Sequence, residues 1–195
     1  FNSASSGLTS GGGVLFNDRN LSLFSSFSFG RFNSLKMGSN RFHGYENWGI
    51  VSSYIENNQV VINTEKNNQP NTGFDSFSFY KKLSFLLPKK QLLESSFLYS
   101  STSFVPRFDR LNDVDEMGVP IYSLWDYGPQ KLSFFKLSFS SLLKSGWADK
   151  QTSFFSYQKT EESRHTQRHE DPVSYHRREV VDAFLLNSSF EKNTK

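Results

Sequence analysis

Apolar and polar residues alternate in one stretch of the chain between residues 76 and 87. The apolar residues of one parity are Phe77, Phe79, Leu83, Phe85 and Leu87. Serine and lysine occupy most of the intervening positions. Because successive side chains of a β-strand point to opposite faces, this period of two predicts a half-buried strand. Pro88 is expected to end it, since proline cannot donate a ladder hydrogen bond.

A second pattern predicts a β-hairpin over residues 48–63. Two runs rich in valine, isoleucine and tyrosine flank the polar residues 56–59, which read Glu-Asn-Asn-Gln. Asparagine tolerates the left-handed backbone conformation that a tight turn requires. Residues 92–105 fit either a strand or a short helix. Residues 119–125 predict a short edge strand, because Pro120 removes one ladder donor.

The C-terminal region shows a different periodicity and predicts a helix. Asp171 followed by Pro172 has the form of an N-cap residue with proline at the first helical position. The apolar residues that then recur at helical spacing are Val173, Val180, Val181, Phe184 and Leu185. The polar residues 187–189 are expected to end this helix.

Together these elements predict an α+β fold with a small, mostly antiparallel sheet. The expected organisation is an extended or poorly ordered basic arm rich in serine, phenylalanine and glycine (1–45), a β-rich body (46–157), and a charged segment with a C-terminal helix (158–195). Gly11, Gly12 and Gly13 are interpreted as a flexible linker, because the lysine and hydroxyl residue that complete a phosphate-binding loop are missing.

Composition narrows the classes of function. The chain has 195 residues, of which 32 are serine and 21 are phenylalanine, and it has no cysteine. Disulfide frameworks, thiolate metal sites and a cysteine nucleophile are therefore excluded. No window approaches 18 consecutive apolar residues, so no membrane-spanning helix is expected. The net charge of +3 is small for a dedicated nucleic-acid module.

The first 45 residues are serine-rich and basic with a single acid, Asp18. This composition is typical of organelle transit peptides, and the sequence starts at Phe1 without methionine. One interpretation is a mature organellar protein, cut from a precursor and located in the mitochondrion. The alternative is that the bias extends over the whole chain and carries no targeting information.

The strongest candidate contact segment covers residues 131–147. Drawn as a helix, it places leucines and phenylalanines on one face, with lysines supplying charge and no acid present. Such a basic amphipathic segment is able to contact RNA or an anionic membrane, and the alternative is an ordinary core element with solvated lysines. The proposed contact residues are Lys131, Phe135, Lys136, Phe139, Lys144 and Trp147.

Three histidines form a candidate set of metal ligands. His165 and His169 are four residues apart, and His176 lies close by in the sequence. Nearby arginines disfavour a cation, and no known ligand spacing is met, so no metal is expected. No catalytic residue and no cofactor are expected either, because no catalytic motif is present.

These observations favour a non-catalytic structural subunit of a large organellar assembly. The leading hypothesis is a peripheral protein of a mitochondrial ribosome, with other protein subunits as expected partners and ribosomal RNA as a further candidate partner. The alternatives are an accessory subunit of a respiratory complex or ATP synthase, with peripheral membrane contact, and an uncharacterised stand-alone binding module.

Overall fold

The computed structural model describes residues 3–40, 44–45, 47–143 and 146–193. Strands make up 65% of the structure and helical residues 4%. Within the described part of the chain there is one α-helix, α1 (Phe108–Leu111), which is four residues long. In chain order the strands are β1 (Leu8–Asp18), β2 (Leu21–Phe32), β3 (Leu35–Lys36), β4 (Ser53–Glu56), β5 (Gln59–Ile62), β6 (Asn68–Gln69), β7 (Phe74–Leu87), β8 (Gln91–Thr102), β9 (Val105–Pro106), β10 (Tyr122–Tyr127), β11 (Lys131–Leu142), β12 (Lys150–Arg168) and β13 (Ser174–Glu191).

Nine of these strands form one antiparallel sheet. The long strands follow the order β1-β2-β7-β8-β11-β12, and β13 pairs with the other edge of β12. Strand β11 covers residues 150–161 of β12, and β10 pairs farther along β12 at residues 164–168. Strand β9 pairs with β10. The sheet is thus open among the described residues, with β1 and β13 as its outer strands.

The fold is therefore nearly all β, and the α+β prediction with a C-terminal helix is wrong. Residues 174–191 form β13, which pairs with β12 over Gln167↔Ser174 to Lys150↔Glu191. The valines at apparent helical spacing are β-branched and fit a strand equally well. The Asp171 carboxylate accepts a hydrogen bond from the Val173 backbone N–H (2.9 Å), and in this position it shapes the β12–β13 turn.

Other expectations of local structure are confirmed. The alternating stretch lies within β7, which ends at Leu87 immediately before Pro88. The predicted hairpin is β4–β5, with Asn57 and Asn58 at φ angles of 50° and 62° in its turn. The ambiguous residues 92–105 lie mostly in β8, because β7 and β11 pair with it on both sides. By contrast, the flexible linker expected at Gly11, Gly12 and Gly13 is wrong, because these residues lie inside β1 and pair with β2.

The buried part of the molecule lies beside β10. The long connection between β2 and β7 contains β3 to β6 and contributes Val51, which is 4% exposed. The Asn63 side-chain amide donates to the carbonyl oxygens of Val51 (2.9 Å) and Asn68 (3.0 Å), which holds this connection together. Trp125 of β10 is also buried. This small core supports the end of the sheet at which charged and aromatic residues collect.

Candidate interaction surface and arginine–aromatic cluster

The register of the sheet separates its side chains into two faces. Residues directly opposite each other in an antiparallel pair point to the same face, so the register can be followed from β1 to β13. Twelve of the 21 phenylalanines fall on one face, which we call the phenylalanine face. They are Phe16, Phe27, Phe29, Phe77, Phe79, Phe85, Phe97, Phe135, Phe139, Phe155, Phe184 and Phe190.

The rings of the phenylalanine face contact one another but are not covered. Phe79 and Phe97 lie on adjacent strands with ring centroids 6.4 Å apart, and Tyr157 stacks on Phe184 at 4.8 Å. Exposed fractions remain large, at 54% for Phe27 and 70% for Phe184. Contiguous exposed apolar patches on soluble monomers rarely exceed a few hundred Å².

The total surface area of the chain also indicates that its apolar side chains are incompletely covered. The chain exposes 13607 Å², whereas a folded monomer of 22.5 kDa is expected to expose about 9,500 Å². In the described residues, the buried apolar side chains are Val51, Pro120, Trp125 and Ala148. A single sheet layer leaves both faces open, so most of the apolar surface of this chain stays uncovered by the chain itself.

Charged residues of the phenylalanine face pair across neighbouring strands toward one end of the sheet. Arg31 of β2 contacts Asp75 at 3.1 Å. Glu161 of β12 contacts both Arg178 (2.7 Å) and Lys131 (3.7 Å). Hydrogen bonding from Arg178 lowers the pKa of the Glu161 carboxyl. These charges neutralise each other locally. Lys81 lies farther along β7 on the same face, between apolar neighbours.

The opposite face, here called the polar face, is rich in serine and threonine. At its centre the Lys82 ammonium lies 2.8 Å from the Glu94 carboxylate, which also accepts a hydrogen bond from Ser84 (2.9 Å). Hydrogen bonding from Lys82 lowers the pKa of Glu94 below its ordinary value of 4.5 and raises the pKa of Lys82. The ionised pair is thereby favoured in the folded chain.

Replacing Glu94 with glutamine is expected to reduce the acid sensitivity of the fold. A carboxyl whose pKa is lowered by folding stabilises the protein above pH 4.5, and the contribution is lost as the pH falls through the folded pKa. Because the pair is partly exposed, we expect the free energy of unfolding to change by only about 0.5 kcal/mol. Urea unfolding at neutral and acid pH measures this free energy. If the free energy of unfolding falls equally steeply with decreasing pH in Glu94→Gln and in the loop variant Glu116→Gln, this assignment is contradicted.

A cluster of arginines and aromatic rings lies on the polar face where β10 meets β12. Trp125 and Tyr127 pack edge to face with centroids 5.4 Å apart. The Arg107 guanidinium lies 4.7 Å from the Trp125 ring, and Arg164 lies 5.5 Å from it. Arg107 also donates to the Tyr127 hydroxyl (3.1 Å). Arg177 of β13 is directly opposite Arg164. We call these five residues the arginine–aromatic cluster.

Two histidines, His165 and His176, lie at the same end of the sheet but on the phenylalanine face. His165 Nδ1 is 3.1 Å from the Asp126 carboxylate, and the His176 ring lies 4.6 Å from that of His165. Burial raises the pKa of Asp126, and the nearby His165 opposes this effect. His169 lies apart, in the β12–β13 turn. The described residues contain no group of three side chains placed to hold a metal ion.

The segment predicted to contact RNA or a membrane is divided by the structure. Residues 131–142 form strand β11 and no helix, so Lys131, Phe135 and Phe139 lie on the phenylalanine face and Lys136 lies on the polar face. The Lys136 ammonium sits 4.3 Å from the Phe154 ring.

The remaining two residues of that segment follow β11. Lys144 lies outside the described residues. Trp147 is 63% exposed, and its ring centroid is 4.7 Å from that of Phe190. The predicted contact residues therefore do not form one basic surface.

Sequence reasoning missed both the phenylalanine face and the arginine–aromatic cluster. The signal for the face was present in most of the Ser-Phe runs, since alternation in several strands of one sheet adds up to one apolar surface. The signal for the cluster was weaker. It consisted of charged residues in 162–166 and of a tyrosine followed by charged residues in 175–179, and these residues align only when the β12–β13 register is known.

The fold defines the class of this protein as an open, all-antiparallel sheet with one aromatic face. No described helix has the length and apolarity needed to cross a membrane. No protein family, curated protein or solved structure matches the chain.

Proposed function

We propose that this chain is a non-catalytic structural subunit that attaches to the hydrocarbon layer of a lipid membrane through its phenylalanine face. The observation that carries this proposal is the placement of twelve phenylalanines, ten of them exposed, on one side of one sheet. The face extends over seven strands about 4.8 Å apart, which gives an area on the order of 1,000 Å². Burial of such a surface is strongly favourable.

The composition of the face favours lipid over a protein partner. The cores of protein interfaces are enriched in tryptophan, tyrosine, phenylalanine, methionine and arginine. The strand positions of this face are dominated by phenylalanine, leucine and serine. They include no tryptophan or methionine, and the tyrosines and arginines among them are Tyr99, Tyr157, Arg31 and Arg178. Phenylalanine and leucine lack polar atoms that need a partner, so they enter hydrocarbon without the cost of an unpaired donor or acceptor.

The geometry gives less support to contact with ribosomal RNA, which stays a prediction from the sequence. Four lysines form ion pairs with carboxylates within the chain, namely Lys82, Lys131, Lys150 and Lys192. A phosphate-binding surface needs cations that are free to replace counterions. The mitochondrial setting and the absence of catalysis likewise remain predictions from composition and motifs.

Flotation with neutral phosphatidylcholine vesicles tests this function. The full chain is expected to float with the vesicles equally well in about 0.1 M and about 1 M salt, because apolar attachment is not screened. RNase treatment should have no effect. Failure to bind neutral vesicles, or release by high salt or RNase, would refute attachment through the phenylalanine face and return the assignment to an RNA-bound subunit.

A further inference from the structure

The arginine–aromatic cluster contains two cations that face each other. Arg164 and Arg177 occupy directly opposite positions on β12 and β13, and both are exposed. Like charges in this arrangement destabilise a strand pair. Among the described residues, no carboxylate lies within 4.0 Å of either guanidinium. The sheet therefore places two arginines together without a direct ion pair to either of them.

A cavity of about 260 Å³ opens beside these arginines. Its lining consists of Trp125, Arg164, Thr166, Tyr175 and Arg177. The lining contains no acidic side chain. Trp125 is only 8% exposed and is fixed by its contact with Arg107, whereas Tyr175 is 59% exposed and stands at the rim. The cavity thus offers two cations, two hydroxyls and two aromatic rings to a ligand.

The nearest acids face a different space. Glu162 and Glu179 are directly opposite each other, two residues along β12 and β13 from the arginines. They line a separate cavity of about 60 Å³, together with the arginines and Tyr127. This smaller space has less room for a ligand. The two glutamates lower the local positive potential without occupying the larger cavity.

We infer that Arg164 and Arg177 form an oxyanion-binding site for a phosphate monoester. A phosphate dianion between the two guanidinium groups removes their mutual repulsion and accepts paired hydrogen bonds from their planar forks. Thr166 supplies a further hydroxyl donor at the cavity wall. Trp125 and Tyr175 contact the organic group attached to the phosphate, so an aromatic or apolar ester binds more tightly than inorganic phosphate.

Titration calorimetry of the full chain in neutral detergent at low ionic strength tests this site with inorganic phosphate and phenyl phosphate as probes. We expect phenyl phosphate to bind more tightly. Arg177→Gln is expected to weaken its binding at least about tenfold, since a charged hydrogen-bonding partner is lost. Arg177→Lys should weaken the binding of phenyl phosphate less, because the positive charge remains although the planar, bidentate guanidinium is lost. Glu179→Gln should strengthen it severalfold, because a repulsive carboxylate is removed.

Arg178→Gln provides the matched control, since Arg178 is the next residue of the same strand and lies on the opposite face. It should leave the affinity for phenyl phosphate within about twofold of the original. Absence of binding by both probes would overturn the site. Equal weakening by Arg177→Gln and Arg178→Gln would also overturn it, because the binding would then reflect only the net charge.

Two sources of the phosphate group are distinguished by a further comparison. Because the cluster lies on the polar face, a lipid headgroup that reaches it belongs to a second bilayer. If the site takes such a headgroup, the chain should bridge and aggregate vesicles that contain phosphatidic acid but not pure phosphatidylcholine vesicles, and Arg177→Gln should abolish this aggregation. If the ligand is a soluble phosphate ester, neither kind of vesicle should aggregate while phenyl phosphate still binds. Attachment to hydrocarbon contributes equally to both vesicles, so failure of this site is distinguishable from failure of the proposed function.

Discussion

Replacing Phe27, Phe97 and Phe184 with serine is expected to reduce the partitioning of the chain onto neutral lipid vesicles about a thousandfold. The three rings lie on β2, β8 and β13, so the substitutions interrupt the phenylalanine face across most of its width. Each buried phenylalanine side chain contributes about 1.5 kcal/mol or more. Three together contribute about 4.5 kcal/mol, and about 1.4 kcal/mol corresponds to a factor of ten. A flotation isotherm measures the change.

The matched control places the same three substitutions on the polar face. Phe24, Phe134 and Phe154 belong to strands of the same sheet but point away from the phenylalanine face. Phe24→Ser, Phe134→Ser and Phe154→Ser should leave vesicle binding within about tenfold of the original while the chain remains folded by circular dichroism. Equal losses of binding in the two triple variants would show that the serine substitutions weaken binding by disturbing the fold and not by removing lipid contacts. The lipid-contacting assignment would then fail.

Trp125→Ala is expected to lower the free energy of unfolding by about 3–5 kcal/mol, the largest loss of stability for any single residue of this chain. The indole ring is 8% exposed and contacts Tyr127, Arg107 and Arg164. Its removal leaves a cavity in the small core beside β10 and releases two guanidinium groups from their aromatic contact. Urea unfolding followed by circular dichroism measures the difference.

Trp48→Ala is the control for this experiment, because the Trp48 side chain is 74% exposed. Its free energy of unfolding should change by no more than about 0.5 kcal/mol. If Trp125→Ala and Trp48→Ala have similarly small effects, the core is not located beside β10. In that case the pairing of the long strands alone maintains the fold.

The sequence predicted single strands better than it predicted their assembly. Strand β7 and the β4–β5 hairpin follow from local signals, namely period-two alternation and two asparagines suited to a left-handed turn. Strand β13 was misassigned because Val173, Val180, Val181, Phe184 and Leu185 satisfy a helical spacing as well. Pairing with β12 over its whole length decides the outcome, and a single sequence does not reveal that pairing.

Predicting the candidate surfaces requires knowledge of the strand pairing even more than predicting the individual strands does. The aromatic content of residues 131–147 was recognised, but helical and strand geometries distribute Lys131, Lys136 and Phe139 over different faces. The arginine–aromatic cluster draws on Arg107, Trp125, Arg164 and Arg177, which are far apart in the sequence. Their proximity follows from the β10–β12 and β12–β13 registers, which no local pattern specifies.

The order of strands in the sheet has a consequence for the folding pathway. The pairs β1–β2, β7–β8 and β12–β13 are hairpins joined by short turns, and β11 connects to β12 through a short loop. Hairpins of this kind form in microseconds, because closing a short loop costs little entropy. Joining β2 to β7, and β8 to β11, requires closure of much longer connections. Docking of these hairpins is therefore expected to be the slow step, and it pairs strand edges without covering the rings of the phenylalanine face, which stay exposed before and after docking.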